Sequence, residues 1–428
     1  MIFRSTALLV LLFSMTGWLS AQDEGQSLLD QATEAKIGAM NFNQLQKVVT
    51  LAEQAIDKGL SDGNREFAEQ LITSTLLQRA EALSSRILSD NPPQQWPQMR
   101  QLAQQDLEKV LTYDDQAGDA HLLIAKLQVL PGGTRARGLK AATSAIECFD
   151  EDQDKQAESL VARAALQEEP EQKLEDLNQA IKVAPANVLA YRQRAALYQQ
   201  TGKLDEAATD YRKVIELDDE SSEALGSLAE TLARLDKFDQ ALEIANQAIQ
   251  QEPESSAGYE LRARIHVLKE DADNALADLS IAIEKDPKAV NALMLRATVY
   301  LTQEKLEEAN ADLDAVQAIN PNLPQVYLLR ASVFEQQEDY LQAAKLIEVI
   351  LRFAPTDSRL RLRAAMDYSM AEDFENAIKH SDFVVERDSE NWLAYYSRAD
   401  IYLSMGEHSK AVEDYERAFE LNQEYDNL

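Results

Sequence analysis

Histidine and cysteine side chains can carry protons, bind metals or act as nucleophiles near neutral pH. The sequence contains His121, His266, His380 and His408 and a single cysteine, Cys148. No pair of histidines has a metal-ligand spacing such as H-E-x-x-H. One cysteine cannot form an intramolecular disulfide or a cysteine-rich zinc site. These residues therefore predict no catalytic centre and no metal site.

Motifs that cradle phosphates or expose a nucleophile are also missing from the sequence. It contains no G-x-S-x-G, no Walker loop and no G-x-G-x-x-G. The loop Leu130–Gly133 could hold an anion through its amides, but two adjacent glycines are more typical of a turn. The acidic pairs Glu168-Glu169 and Asp218-Asp219 also fall at turns, which favours solvated surface. We therefore expect no cofactor and no enzymatic activity.

A series of arginines at regular spacing is the remaining candidate for chemistry. Its members are Arg194, Arg262, Arg296, Arg330 and Arg398. The series could form a positive ladder for an acidic ligand. Alternatively, each stem packs on a neighbouring helix while its guanidinium pairs with an aspartate such as Asp210, Asp278 or Asp312. The acidity of the whole chain favours this structural interpretation.

The arginines follow an internal repeat of 34 residues that runs through seven consecutive units without an insertion. In every unit alanine occupies two positions that lie twelve residues apart. These alanines are Ala195, Ala207, Ala229, Ala241, Ala263, Ala275, Ala297, Ala309, Ala331, Ala343, Ala365, Ala377, Ala399 and Ala411. Two helices approach closely only where a side chain is small. We therefore expect each alanine to lie at a tight helix crossing.

Each unit also contains two amphipathic segments separated by a short turn. In the first unit they are Tyr191–Gln200 and Leu204–Leu217. A large and mostly aromatic residue stands three positions after the first alanine, as at Tyr300. His266 fills this position in one unit, which favours a packed structural histidine. Proline near the end of most units stops the second helix, because it cannot continue a helix interior.

The pattern resembles the tetratricopeptide repeat family, whose 34-residue units have the spacing W-x2-L-G-x2-Y…A-x3-F…P. The unit with Leu225-Gly226, Ala241 and Pro253 follows this spacing closely. The resemblance implies an all-α fold, a right-handed α-solenoid of stacked helix–turn–helix hairpins, with about ten or eleven units. Some enzymes of this family carry a separate catalytic domain, and we find no stretch of this sequence that suggests one.

Upstream of the regular units the same features continue with irregular spacing. The residues around Ala164 echo those around Ala195 at a distance of only 31 residues, which predicts a shortened turn. We expect four segments: a signal peptide (1–21), an N-terminal helical cap (22–61), divergent repeat-like helices (62–187) and seven regular units (188–425).

The first segment has the features of a secretory signal. Arg4 gives a positive start, residues 7–15 are mainly apolar, and Ala21 is a small residue suited to cleavage. An uncleaved anchor is the alternative, although the apolar run is shorter than the roughly 20 residues of a membrane span. We therefore expect an exported protein, periplasmic or extracellular on the assumption of a bacterial source. The mature chain is not expected to insert into a membrane.

Cys148 and His408 are also interpreted structurally. Cys148 lies in the apolar helical stretch Ala145–Phe149, which favours a buried thiol over a redox-active one. His408 falls in a turn and is expected to be exposed.

In tetratricopeptide repeats the first helix of each unit lines a concave surface, so the resemblance implies recognition of a protein or peptide. The lining positions are the second, fifth, ninth, twelfth and thirteenth of each unit, and they become apolar toward the C-terminus. The candidate partner-binding residues are Met294, Leu301, Leu328, Leu362, Met366, Met370, Leu393, Tyr396 and Leu403. A methionine-rich groove could adapt to an amphipathic segment. The alternative is that these residues only pack against neighbouring helices.

Composition limits the range of partners. The sequence has 42 Lys+Arg against 74 Asp+Glu, a formal net charge of −32, which argues against nucleic acid. We expect a non-enzymatic protein–protein interaction scaffold. The alternative is a structural or assembly subunit of a cell-envelope complex that uses the solenoid ends and outer face. Val412, Tyr415 and Phe419 in the last unit lack a clear covering helix, which suggests possible self-association through the C-terminal end.

Overall fold

The computed structural model describes residues 23–89, 91–219 and 221–425, and over these residues it contains twenty-two α-helices and no strand. The side chains of residues 423–425 are not described. The predicted signal peptide, residues 1–21, lies outside the described residues. Contacts between residues divide the chain after Asp219 into two compact units, here called the N-terminal and C-terminal units.

The N-terminal unit consists of five helical hairpins, each made of two consecutive helices. Its helices are α1 (23–37), α2 (Phe42–Lys58), α3 (Asp62–Ile87), α4 (Trp96–Tyr113), α5 (Gly118–Val129), α6 (Arg135–Cys148), α7 (Gln153–Leu166), α8 (Pro170–Val183), α9 (Val188–Gln200) and α10 (Leu204–Leu217). The pair α9 and α10 is the first of the regular repeats.

The C-terminal unit consists of the six further regular hairpins. Its helices are α11 (Ser222–Arg234), α12 (Phe238–Gln251), α13 (Ser256–Leu268), α14 (Ala272–Lys285), α15 (Val290–Thr302), α16 (Leu306–Ile319), α17 (Pro324–Gln336), α18 (Tyr340–Leu351), α19 (Ser358–Met370), α20 (Phe374–Arg387), α21 (Trp392–Ser404) and α22 (His408–Tyr425). The all-α class of stacked hairpins expected from the repeat pattern is confirmed.

The turn inside each regular hairpin is built in the same way. The residue at one fixed position has positive φ: Gly202 and Gly406 in the first and last hairpins, and an aspartate or glutamate in the other five, with φ between 57° and 61°. The amide of the next residue donates to a carbonyl in the last turn of the first helix, as Lys305 N does to Tyr300 O at 2.9 Å. This Schellman geometry satisfies the last carbonyls of the first helix and reverses the chain.

In both units most first helices contact the first helix of the next hairpin. In the C-terminal unit α11 contacts α13 and α19 contacts α21, and in the N-terminal unit α5 contacts α7 and α7 contacts α9. No comparable contact joins successive second helices among the described residues of either unit. The first helices therefore lie on the inner side of a curved stack, and we call the surface that they form the inner face of that unit.

Among the described residues, no helix is both long enough and apolar enough to cross a bilayer.

Candidate partner-binding surfaces

The repeat alanines form the tightest contacts of the regular hairpins. All fourteen are at most 1% exposed. Ala297 and Ala309 share one buried cluster with Leu293 and Leu313, so the two helices of that hairpin meet over the small side chains. Close packing at these positions fixes the distance between helices and hence the direction of the side chains on the inner face.

The recurring arginines are paired inside the fold. Arg296 donates from Nε and Nη2 to the two carboxylate oxygens of Asp312, at 2.8 and 2.7 Å, and Asp312 is 4% exposed. Its Nη1 donates to Ser280 Oγ at 3.2 Å on the second helix of the preceding hairpin. The hydrogen bond with Asp312 raises the pKa of Arg296 above its ordinary value. Each such guanidinium therefore joins its own hairpin to the one before it.

The same bidentate pairing recurs sixteen residues apart at four regular hairpins. The pairs are Arg194–Asp210, Arg262–Asp278, Arg296–Asp312 and Arg398–Asp414. These contacts favour the structural interpretation of the arginine series over a ladder for acidic ligands.

Three regular hairpins depart from this pairing. Leu346 replaces the aspartate in one of them, so Arg330 pairs instead with Asp314, a side chain that is 67% exposed. Leu228 and Ile244 occupy the two positions in the hairpin α11–α12, which gives an apolar pair. His380 takes the aspartate position in the hairpin α19–α20 and is 3% exposed, and burial lowers its pKa.

Five of the nine candidate partner-binding residues lie exposed together on α19 and α21. We call this set the α19–α21 apolar surface; its members and exposures are Met366 (57%), Met370 (57%), Leu393 (45%), Tyr396 (47%) and Leu403 (50%). Tyr396 is held by an edge-on contact with Tyr415 on α22, with ring centroids 5.5 Å apart. The two helices contact each other, and exposed apolar side chains on adjacent helices are typical of an interaction surface.

The other four candidate residues are more enclosed. Leu301 and Leu362 are only 6% and 8% exposed, and Met294 and Leu328 are half-buried. Leu301 belongs to a buried cluster that includes Val333 on α17, so the next hairpin covers it. Met294 packs against the same cluster, so these two side chains and Leu362 are less accessible than the five residues of the α19–α21 apolar surface.

A buried acidic residue next to this surface was not anticipated from the sequence. Asp367 on α19 is 4% exposed, and its Oδ2 has no hydrogen-bond partner among the described residues. Burial, with a smaller contribution from the Glu335 carboxylate, raises the pKa of Asp367 to about 7. Arg363 binds Glu335 bidentately at 2.7 and 2.9 Å, so it is engaged with the neighbouring carboxylate. In the sequence Asp367 is marked only by its position directly after the groove candidate Met366.

Because folding raises the pKa of Asp367, this residue makes stability depend on pH. Between the ordinary value of 3.8 and about 7 the folded state holds a proton that the unfolded state has released, so stability falls as pH rises through that window. We expect Asp367→Asn to raise the melting temperature at pH 8 and to change it little at pH 4. Glu386→Gln, an exposed carboxylate on α20, is the control. An equal change in melting temperature at pH 4 and pH 8 would contradict the interpretation that burial raises the pKa of Asp367.

Exposed apolar side chains also occur on the last helix, α22. Val412 and Phe419 are 55% and 64% exposed. Tyr415 is more enclosed, and its hydroxyl donates a hydrogen bond to Asp400 on α21. In preceding hairpins the residues equivalent to Phe419, such as Val385 and Leu351, pack into the stack.

A large cavity of the N-terminal unit lies on its inner face, at a place that the sequence did not single out. The cavity has a volume of about 700 Å³ and is bordered by α5, α7, α9 and the end of α3. Apolar side chains at its mouth include Leu88, Val129 and Leu189, which are 41%, 45% and 47% exposed. The sequence signal that could have found it is the pair of small residues Ala162 and Ala165 on α7.

The remaining reactive side chains have local structural contacts. Cys148 is half-buried, so it is less enclosed than expected, and its Sγ lies 3.9 Å from Gln116 Oε1. Burial raises the pKa of this thiol. His266 is 13% exposed and has Nδ1 3.3 Å from Asp271 Oδ2, as a packed histidine at the aromatic position would. His408 is exposed at the start of α22.

Comparison with known proteins identifies the repeats. The Tetratricopeptide repeat family matches residues 199–265, 261–324, 294–358 and 392–425. A segment of 50 residues is 40% identical to the DnaJ homolog subfamily C member 3 of Gallus gallus. That segment is 12% of this chain and 10% of the relative, so the chain matches only a small part of this curated protein.

Several solved structures are similar at low identity. A tetratricopeptide repeat protein from Parabacteroides merdae ATCC 43184 is 18% identical, with a TM-score of 0.42 over 55% of this chain and 93% of that one. Yeast Tom70 is 17% identical, with a TM-score of 0.46 over 95% of this chain and 91% of its own. A thermophilic repeat protein of the same kind from Thermus thermophilus is 22% identical, with a TM-score of 0.37 over 42% of this chain and 98% of its own.

The stacked hairpins with their buried alanines define a helical repeat protein. Residues 199–358 and 392–425 of this protein are similar to tetratricopeptide repeats.

Proposed function

We propose that this protein is a non-enzymatic scaffold that binds a segment of another protein on the inner face of its repeats. The α19–α21 apolar surface carries this proposal, because five apolar side chains stay exposed there on two adjacent first helices. Two of the five are methionines, whose flexible side chains adapt to different apolar partners. An amphipathic segment with one apolar face would cover this surface and leave its polar face in water.

The proposal includes the compartment in which binding takes place. We propose that the protein is exported, since residues 1–21 have the charge and apolar pattern of a signal peptide. The partner would then be a periplasmic or extracellular protein. The net charge of −32 disfavours nucleic acid as a partner.

Site-specific photocrosslinking in the native cells tests the inner-face proposal. A photoreactive phenylalanine analogue replaces Met370 or Leu403 on this surface, and the matched control replaces Lys379, which is exposed on the second helix α20. We expect the first two variants to crosslink the same partner protein and the Lys379 variant to give no such product. Crosslinks from Lys379 with none from Met370 or Leu403 would overturn the proposal.

A second candidate function is assembly through the end of the stack. The exposure of Val412 and Phe419 on α22 favours it, since both side chains are apolar and more than half exposed. The same photoreactive residue at Phe419 distinguishes the two functions. A product formed from Phe419, and absent from Met370 and Leu403, would identify a structural or assembly subunit instead of a client-binding scaffold.

A further inference from the structure

The cavity of the N-terminal unit has the size and chemistry of a binding site. Its volume of about 700 Å³ falls within the range of roughly 300–1,000 Å³ that is usual for ligand sites. Val161 and Ala162 on α7 form its enclosed part, with exposures of 3% and 6%. Leu88, Val129 and Leu189 stand around the mouth and remain 41–47% exposed. A large apolar side chain that entered would contact these apolar residues, with polar side chains such as Asn187 and Gln193 also in the lining.

Small side chains keep this space open. The predicted shortened turn is wrong, because three residues (167–169) join α7 to α8, as three (201–203) join α9 to α10, and α8 and α10 begin 34 residues apart. Ala162 and Ala165 project small side chains from α7 toward the cavity. On the opposite side, the cavity is bordered by Ala186, just before α9, and by Leu189 on α9. Small residues on α7 thus leave open the space that a leucine or methionine would otherwise fill.

The charges near the cavity are mainly negative. Lys126 and Glu158 both border it and neutralise each other in an ion pair of 2.6 Å. Asp154 also borders it and is exposed. It belongs to an acidic run that leads into α7, in which Asp150, Glu151 and Asp152 are likewise exposed. An occupant with a positive charge next to its apolar side chain would therefore complement both the cavity and its edge.

We propose that this cavity binds a short protein segment that combines large apolar side chains with adjacent lysine or arginine residues. The apolar side chains enter between α5, α7 and α9, and the basic residues face Asp154 and the acidic run before it. The inference deepens the proposed function, because it places a second contact for a protein partner on the inner face of the N-terminal unit. It also assigns a charge pattern to that partner.

Fluorescence anisotropy with three labelled synthetic peptides tests the proposal on the purified protein. The first peptide has a Leu-Phe pair flanked on each side by two lysines. The second has glutamates in place of the lysines, and the third has Ser-Ser in place of Leu-Phe. We expect measurable binding of the first peptide only, with at least tenfold weaker binding of the other two. Equal binding of the basic and acidic peptides, or no binding of the first, would overturn the proposal.

Variants locate the binding to the cavity. Ala165→Trp fills it from an exposed position on α7 and should weaken binding of the first peptide at least tenfold. Asp154→Lys should weaken it and strengthen binding of the acidic peptide. Ala257→Trp is the matched control, since Ala257 is an exposed alanine on a first helix outside the cavity. Ala186→Trp on the other wall replaces Ala165→Trp if circular dichroism shows that the latter does not fold.

The result is separable from the test of the α19–α21 apolar surface. Peptide binding that survives Ala165→Trp and Ala186→Trp but is lost in Met370→Lys would refute the cavity site and leave the proposed function intact. Binding that is lost in the cavity variants and kept in Met370→Lys supports the cavity site, whatever the crosslinking at Met370 shows. Displacement of the first peptide by palmitate, with equal affinity for all three peptides, would identify a lipid site and overturn the proposal.

Discussion

Arg296→Leu is expected to lower the free energy of unfolding by about 3 kcal/mol, because it leaves the Asp312 carboxylate buried without its partner. Asp312 is 4% exposed and accepts two hydrogen bonds from this guanidinium. Removing one member of a buried ion pair lowers stability strongly, because the other charge stays buried without a partner. Replacing both members by apolar side chains changes stability much less. Urea unfolding followed by circular dichroism measures the change. In a repeat array, hydrogen exchange also shows whether the loss is confined to the hairpins around α15.

The chain itself supplies two matched controls for this variant. Leu228 and Ile244 occupy the equivalent positions in the hairpin α11–α12, so the double variant Arg296→Leu/Asp312→Ile should recover stability to within about 1 kcal/mol of wild type. Arg330→Leu should cost less than about 1 kcal/mol, since its partner Asp314 is 67% exposed. Equal losses in Arg296→Leu and Arg330→Leu would show that burial of the aspartate is not the cause.

Ala297→Leu is expected to destabilise the protein by about 1–3 kcal/mol, because the site has no room for three more carbon atoms. Ala297 is fully buried and shares a cluster with Leu293, Ala309 and Leu313 at the crossing of α15 and α16. A larger side chain must separate the two helices or adopt a strained rotamer. Thermal melting of the variant measures the effect.

An exposed alanine on another first helix provides the comparison. Ala257→Leu on α13 adds the same atoms at the surface, and we expect it to change the free energy of unfolding by less than about 0.5 kcal/mol. If Ala297→Leu melts at the wild-type temperature, the repeat alanines are not limiting the approach of the helices.

The regular part of the fold could be predicted from the sequence because its contacts are local and repeated. The predicted second helix Leu204–Leu217 has the observed bounds, and the first begins at Val188, one turn before the predicted Tyr191. The pairing of Arg296 with Asp312 could also be expected, since both positions recur in the repeat. The positive φ of Glu304 could not be predicted from the sequence, because no glycine marks that turn.

The sequence by itself determined the fold class of this protein, because the pattern that defines it repeats every 34 residues. The contacts within that pattern, at the buried alanines and in the Arg–Asp pairs, join residues that are close together along the chain. Only the tertiary structure decided which apolar side chains remain available to a partner. Leu301 and Leu403 occupy the same position of their units, yet Leu301 is 6% and Leu403 50% exposed. Leu301 shares a buried cluster with Val333 of the next hairpin, whereas Leu403 belongs to none of the buried clusters of the described residues. Packing also leaves the cavity between α5, α7 and α9. Exposure depends on what each neighbouring hairpin places over a position, which the pattern within one repeat does not specify.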